Sequence, residues 1–88
     1  SSAQPLEITD VIIGDNTDTI TKEFKELISS LKIGESISID DIREHFIKRD
    51  LISFRDEVSL KVDDTLYSST NTNQNISVKL DELLIINE

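Results

Sequence analysis

Several residue types are scarce or missing in this chain of 88 residues. It has no cysteine, which excludes a disulfide framework and any thiolate metal site. Its two glycines, Gly14 and Gly34, stand far apart, so there is no glycine-rich loop to hold a phosphate. No apolar run approaches the roughly 18 residues that a membrane-spanning helix needs. The chain therefore has to be stabilised by an ordinary, small apolar core.

Basic residues are scarce as well. The chain has 9 Lys and Arg against 18 Asp and Glu, a formal net charge of −9 at pH 7. The acids are spread along the sequence, which favours solubility and disfavours non-specific binding to nucleic acid or anionic membranes, because phosphate groups would be repelled. Apolar runs separated by turns predict a folded domain. We expect a disordered tail at residues 1–5 and a single domain over residues 6–88, cut from a longer chain.

The first part of the domain predicts a strand and a helix. Residues 6–13 are rich in β-branched residues and indicate the strand. The helix is predicted over residues 19–32, with Asp18 or Thr19 as its N-cap and Gly34 as a left-handed C-cap. Its apolar residues recur at helical spacing and define one buried face: Ile20, Phe24, Leu27, Ile28 and Leu31.

A second helix is predicted after an alternating stretch at residues 35–39, which fits either a short strand or an extended lead into the helix. Ser38 is placed to cap this helix, and Asp41 stands three residues later, as in a capping box. The helix is expected to run to about Lys48. Its buried side is predicted to carry Ile39, Ile42, Phe46 and Ile47.

The second half of the chain predicts strands. Val58, Leu60 and Val62 alternate with Glu57, Ser59 and Lys61, as in a half-buried strand. Asp63–Asp64 predict a turn into a return strand, and residues 68–75 predict a polar loop. For residues 76–88 we favour a hairpin over a short helix. The fold class is then α+β: a two-layer sandwich of two helices on one small, mostly antiparallel sheet of three to five strands.

The search for catalytic residues assigns none. His45 is the sole histidine, has no cysteine or activated serine to accompany it, and is expected at the edge or outside of its helix. The acid pairs Asp40–Asp41, Asp63–Asp64 and Asp81–Glu82 consist of adjacent residues, whose side chains diverge on a helix or strand. They are interpreted as helix N-terminal charge and turn residues. We therefore predict that the protein is not an enzyme and that it uses no cofactor.

Two further patterns were weighed as binding or modification sites. Residues 15–19 (DNTDT) resemble the start of a calcium-binding loop, but Ile20 stands where such a loop needs glycine. Asn75-Ile76-Ser77 forms a glycosylation sequon, which matters in a secreted protein. Neither pattern leads us to assign a metal-binding residue.

Residues 19–49 were also weighed as a helix-turn-helix, with the later strands as a wing. A recognition helix presents basic and amide side chains to DNA, whereas the second helix here presents Asp40, Asp41 and Glu44 beside Arg43. The link between the helices is also longer than the usual three or four residues. The basic residues nearby are interpreted as a solvated corner: Lys48, Arg49 and Arg55.

Three phrases carry a family resemblance: LKIGE at residues 31–35, ISIDDI at residues 37–42 and RDEV at residues 55–58. With NI at residues 75–76 and ELLI at residues 82–85, they resemble the C-terminal part of the baseplate J-like proteins of contractile phage tails. Two features differ from that family. The stretch after the second helix lacks the family's glycine, and the link between the helices lacks its proline.

The resemblance implies a structural role, since baseplate J-like proteins build the wedge around the tail hub through protein–protein contacts. We accordingly expect a virion component whose partners are other subunits or further copies, with no nucleic-acid, membrane or small-molecule partner. Two other functions stay open. One is a small acidic, cytoplasmic inhibitor or antitoxin-like protein that binds a basic partner. The other is a winged-helix-like nucleic-acid-binding module.

Overall fold

A computed structural model describes residues 2–70 and 74–87. Within them, the chain forms the elements β1 (Gln4–Ile13), α1 (Asp18–Ser29), α2 (Ile39–Lys48), β2 (Val58–Val62), β3 (Thr65–Ser68) and β4 (Glu82–Ile86). The strands form one sheet in the order β3-β2-β1-β4. β2 is antiparallel to β1 and β3, and β4 is parallel to β1. Both helices bury their apolar faces in one core with the sheet, which confirms the predicted α+β sandwich.

Helix α1 buries Ile20, Phe24 and Ile28, as its spacing predicts, while the other two residues of the predicted face, Leu27 and Leu31, are half-buried. Its boundaries differ from the prediction. The N-cap is Thr17, one residue earlier than expected, and its Oγ1 accepts a hydrogen bond from the Ile20 N–H at 3.2 Å. The helix ends at Ser29, before its predicted end at residue 32.

Gly34 adopts a left-handed conformation, with a φ of +79°, but it is not the cap of α1. It lies in the β-turn Lys32–Glu35, which the Glu35 N–H closes by donating to the Lys32 carbonyl at 2.9 Å. A positive φ at the third position of a turn suits glycine. The prediction of a left-handed glycine is confirmed, and its assignment to the helix end is wrong.

Helix α2 follows the sequence closely. Ser38 is its N-cap, and the Ser38 Oγ accepts from the Asp41 N–H at 3.0 Å. Ile39, Ile42 and Phe46 are fully buried. Residues 35–37 form an extended lead with no strand, and Ser38 makes one isolated bridge to Asn75.

Strand β1 contains a bulge that its pattern of apolar and polar residues does not predict. Thr9 pairs with Lys61 and Ile12 with Ser59, so β1 has one residue more than β2 between these pairs. Asp10 lies in the bulge with a φ of +52°. The extra residue reverses the alternation. Ile8 faces the core before the bulge, and after it Ile13 is buried while Ile12 is 41% exposed.

The hairpin of β2 and β3 is confirmed. Val62 pairs with Thr65 across the two-residue turn Asp63–Asp64, and Asp63 has a positive φ of 54°, which tight hairpin turns require. The predicted exposure of Ser59 is wrong. It is 5% exposed, and its Oγ donates to the Glu57 carboxylate at 3.1 Å.

The hairpin favoured for residues 76–88 is wrong where the structure describes them, and so is the rival helix. Ile76 is buried and Val78 is half-buried, but both lie on a connection that crosses from the β3 edge of the sheet to the β4 edge. Alternating apolar residues on that connection cover the core without pairing as a strand. β4 then pairs in parallel with β1, so its partner is distant in sequence.

The predicted disordered tail covers residues 1–5, but Gln4 and Pro5 already belong to strand β1. β1 begins at Gln4, whose N–H donates to the Asp81 carbonyl at 2.8 Å, and Pro5 lies opposite Leu83. The polar loop predicted at residues 68–75 is described in part, because residues 71–73 lie outside the described residues. Ser68 still belongs to β3.

Candidate interaction surface at the open edge of the sheet

Strand β4 is an outer strand of the sheet, and its backbone leaves two residues open on the outer side. The N–H of Gln4 donates to Asp81, and the N–H of Asn87 donates to Ile8. In a parallel pair, the bonding residues of a strand alternate, so residues 81, 83, 85 and 87 of this segment face β1. Leu84 and Ile86 therefore present their N–H and C=O groups on the open edge.

This edge is limited at its beginning by the turn that contains Gly34. The Gly34 N–H donates to the Glu82 carbonyl at 2.7 Å. The backbone groups of Glu82 face the same outer side as those of Leu84 and Ile86, but its carbonyl is already occupied by this bond. Among the described residues, no hydrogen bond outside the sheet is recorded for Leu84 or Ile86.

A groove of about 380 Å³ runs between this edge and α1. Helix α1 contributes Lys25, Ile28 and Ser29, and Leu31 follows the helix; the other wall is formed by residues 83–86. Most of this lining is aliphatic. A second groove of about 280 Å³ continues from Lys25 and Ile86 toward the bulge of β1, where Asp10 lines it.

Two exposed apolar side chains stand at the beginning of the edge. Ile33 is 57% exposed and Leu80 is 91% exposed. They lie in two touching turns, since a Cβ built on Gly34 would be 3.0 Å from the Leu80 carbonyl oxygen. The open-edge surface is defined here as the outer side of β4, its groove with α1 and these two side chains.

Strand β4 lacks the features by which edge strands usually avoid pairing with other chains. Residues 83–86 are Leu-Leu-Ile-Ile, without a lysine, a proline or a bulge. Acidic groups stand at its beginning instead, where Asp81 and Glu82 precede the apolar run. An apolar open edge is a template for adding a strand.

His45, the histidine weighed as a catalytic candidate, lies away from this surface and between the two helices. Its Nε2 is buried, lies 3.9 Å from a carboxylate oxygen of Glu23 on α1 and has no hydrogen-bond partner among the described residues. The ring packs edge-on against Phe46. Glu23 also pairs with Arg49, with its Oε1 3.1 Å from the Arg49 Nε. The arrangement links α1 to α2.

The other patterns weighed from the sequence are taken up by local structure. Asp40 and Asp41 lie in the first turn of α2, and Asp63–Asp64 form the hairpin turn. In the loop once compared with a calcium site, the Asn16 Oδ1 accepts from the Ile13 N–H at 2.8 Å. Within residues 2–70 and 74–87, no cluster of three or more His, Asp or Glu side chains is placed to hold a metal ion.

Two of the three basic residues predicted to form a solvated corner, Arg49 and Arg55, make contacts within the chain. Arg49 pairs with Glu23, and the Arg55 guanidinium lies 5.8 Å from the centre of the Phe54 ring. The Arg43 Nη2 donates to the Phe54 carbonyl at 2.6 Å. The sequon residue Asn75 forms the isolated backbone bridge with Ser38.

Sequence reasoning missed the open-edge surface. The run at residues 83–86 is a clear apolar segment in the sequence, but the pattern predicts a hairpin, in which its partner strand would lie nearby in the chain. Whether a strand lies inside a sheet or at its edge depends on its pairing with β1, about eighty residues earlier in the chain.

Comparison with known proteins adds no relative: no family model, curated protein or solved structure matches the chain. Neither described helix has the length and apolarity to cross a membrane.

Proposed function

We propose that the protein is a non-enzymatic interaction domain that joins another subunit of an assembly through its open-edge surface. The observation that carries this proposal is the apolar outer strand β4, whose Leu84 and Ile86 backbone groups lie open beside an aliphatic groove. Such an edge is normally paired, covered or charged in a protein that works alone. The resemblance to baseplate J-like proteins supports the same role, because those proteins act through subunit contacts.

Charge and side-chain placement favour a protein partner over nucleic acid. The exposed part of α2 carries Asp40, Asp41 and Glu44, and the net charge of the chain is −9. Phosphate groups would be repelled by this surface. His45, the candidate for acid–base chemistry, contacts structural residues of α1 and α2.

Site-specific photo-crosslinking in the cells that make the protein tests the proposal. A benzophenone amino acid replaces Leu80, which is 91% exposed on the open-edge surface and outside the groove, or Glu44, which is exposed on α2. We expect the Leu80 position to capture a defined protein, identified by mass spectrometry, and the Glu44 position to give no such product. Equal products from both positions, or none from Leu80, would contradict the proposal.

A further inference from the structure

We propose that the open-edge surface binds an extended segment of another protein, with alternating apolar residues and a basic end, by adding it as a fifth strand beside β4. This inference rests on the proposed function and names the partner's chemistry.

The backbone provides the first part of the recognition. Leu84 and Ile86 offer two N–H donors and two C=O acceptors on the outer side of β4. Hydrogen bonds to an added strand supply affinity without depending on sequence. Glu82 is unavailable, since the Gly34 N–H holds its carbonyl at 2.7 Å. The added strand therefore hydrogen-bonds to Leu84 and Ile86, so the paired stretch is short.

The groove provides the second part. In an added strand, side chains alternate between the two faces of the sheet. Those on the α1 side would enter the groove of about 380 Å³ and contact Ile28 and Leu31. Those on the opposite face would lie beside the half-buried Leu83 and Ile85. Aliphatic residues at every second position of the partner would make the contacts with Ile28 and Leu31.

Charge selects one end of the partner and disfavours a second copy of this chain. Asp81 and Glu82 stand at the beginning of the edge, whereas the basic Lys25 lines the groove beside Ile86. Basic residues at one end of the segment would meet the two acids. A second copy would bring a further charge of −9. Like charges across an interface are unfavourable.

A synthetic peptide tests the inference directly. The probe is Lys-Arg-Val-Thr-Val-Thr-Val-Arg-Lys, titrated into the full 15N-labelled chain and followed by NMR. We expect chemical-shift changes centred on the amides of Leu84 and Ile86 and on the groove residues of α1. Two control peptides carry either glutamate in place of every basic residue or proline in place of the central valine. We expect each control to bind at least about tenfold more weakly.

Two variants distinguish strand pairing from non-specific hydrophobic binding. Ile86→Pro removes an N–H that points outward, while Leu83 and Ile85 keep their bonds to β1. Ser29→Trp fills the groove and leaves the strand unchanged. We expect each variant to weaken peptide binding at least about tenfold and Glu44→Ala to leave it unchanged. Thermal unfolding followed by circular dichroism checks the fold, and Ser29→Trp keeps the test valid if Ile86→Pro does not fold.

Shift changes away from β4, or folded variants that bind the peptide as tightly as the wild type does, would overturn the inference. So would a dimer in sedimentation equilibrium that Ile86→Pro dissociates, because the edge would then pair with a second copy. The crosslinking result separates this failure from failure of the proposed function. If the Leu80 position captures a partner and no strand pairing is found, the protein is an interaction domain that uses this surface without adding a strand.

Discussion

At the scale of single residues, the described part of the chain relies on short side chains and on glycine where the backbone turns. Ser38 and Thr17 cap the two helices, and Gly34 lets two turns touch. Each of these residues has a specific local contact. Their substitution should therefore change stability by amounts that the contact predicts.

Replacing Ser38 with alanine should destabilise the protein by about 1 kcal/mol, because the Asp41 N–H loses its acceptor at the start of α2. Urea unfolding measures the change. Ser38→Asn keeps a capping oxygen and should stay within about 0.5 kcal/mol of the wild type. Equal losses in both variants would show that the cap hydrogen bond contributes little.

Replacing Gly34 with alanine should cost about 1–3 kcal/mol, since the new Cβ would lie 3.0 Å from the Leu80 carbonyl oxygen at a φ of +79°. Gly14→Ala is the matched control. Its φ is +52°, and its Cβ would meet the Ile52 Cγ2 at 3.1 Å, a side-chain methyl group that can move. We expect a smaller drop in the urea midpoint for Gly14→Ala, and the reverse order would contradict the explanation.

At the scale of elements, β1 shows how one inserted residue redirects a strand. The bulge at Asp10 changes which residues face the core, so Ile13 rather than Ile12 is buried. It also places Asp10 in the groove that continues from the open edge.

The left-handed conformation of Asp10 yields a prediction for this element. Asp10→Val should destabilise the protein by about 1–2 kcal/mol, because a β-branched residue tolerates a φ of +52° poorly. Asp10→Gly should be neutral or stabilising by up to about 1 kcal/mol. Both variants lose the exposed contact with Lys61, so their difference in urea unfolding isolates the backbone effect.

At the scale of the whole molecule, the net charge of −9 should make stability depend on salt. Excess like charge repels itself in the folded state, and salt screens this repulsion. Raising NaCl from about 0.01 to about 0.15 M shortens the screening length from ~30 to ~8 Å. The urea midpoint should therefore rise with added salt.

A variant with less charge is the control for the salt prediction. Replacing the exposed Glu26 and Glu44 with lysine lowers the magnitude of the net charge. Its urea midpoint should respond less to the same change in NaCl. A midpoint that falls with salt in the wild type would indicate that attractive pairs, such as Glu23 with Arg49, outweigh the general repulsion.

The parts of this fold that the sequence predicts are those that depend on local residue patterns. The 3.6-residue spacing identified the buried faces of both helices, Ser38 identified a cap, and Asp63–Asp64 identified a turn. The C-terminal segment could not be predicted in the same way. Alternating residues such as Ile76 and Val78 look alike whether they pair in a hairpin or cover a core on a crossing connection.

The sequence by itself determined the acidic charge, the absence of cysteine chemistry, the helix faces and the α+β class, because these depend on composition and on neighbours within a few residues. The tertiary structure alone decided that β4 pairs in parallel with β1 and lies at an edge, and that Gly34 blocks one end of it. These features arise from contacts between segments far apart in the chain. No local pattern encodes which of them meet, and the candidate surface consists of such contacts.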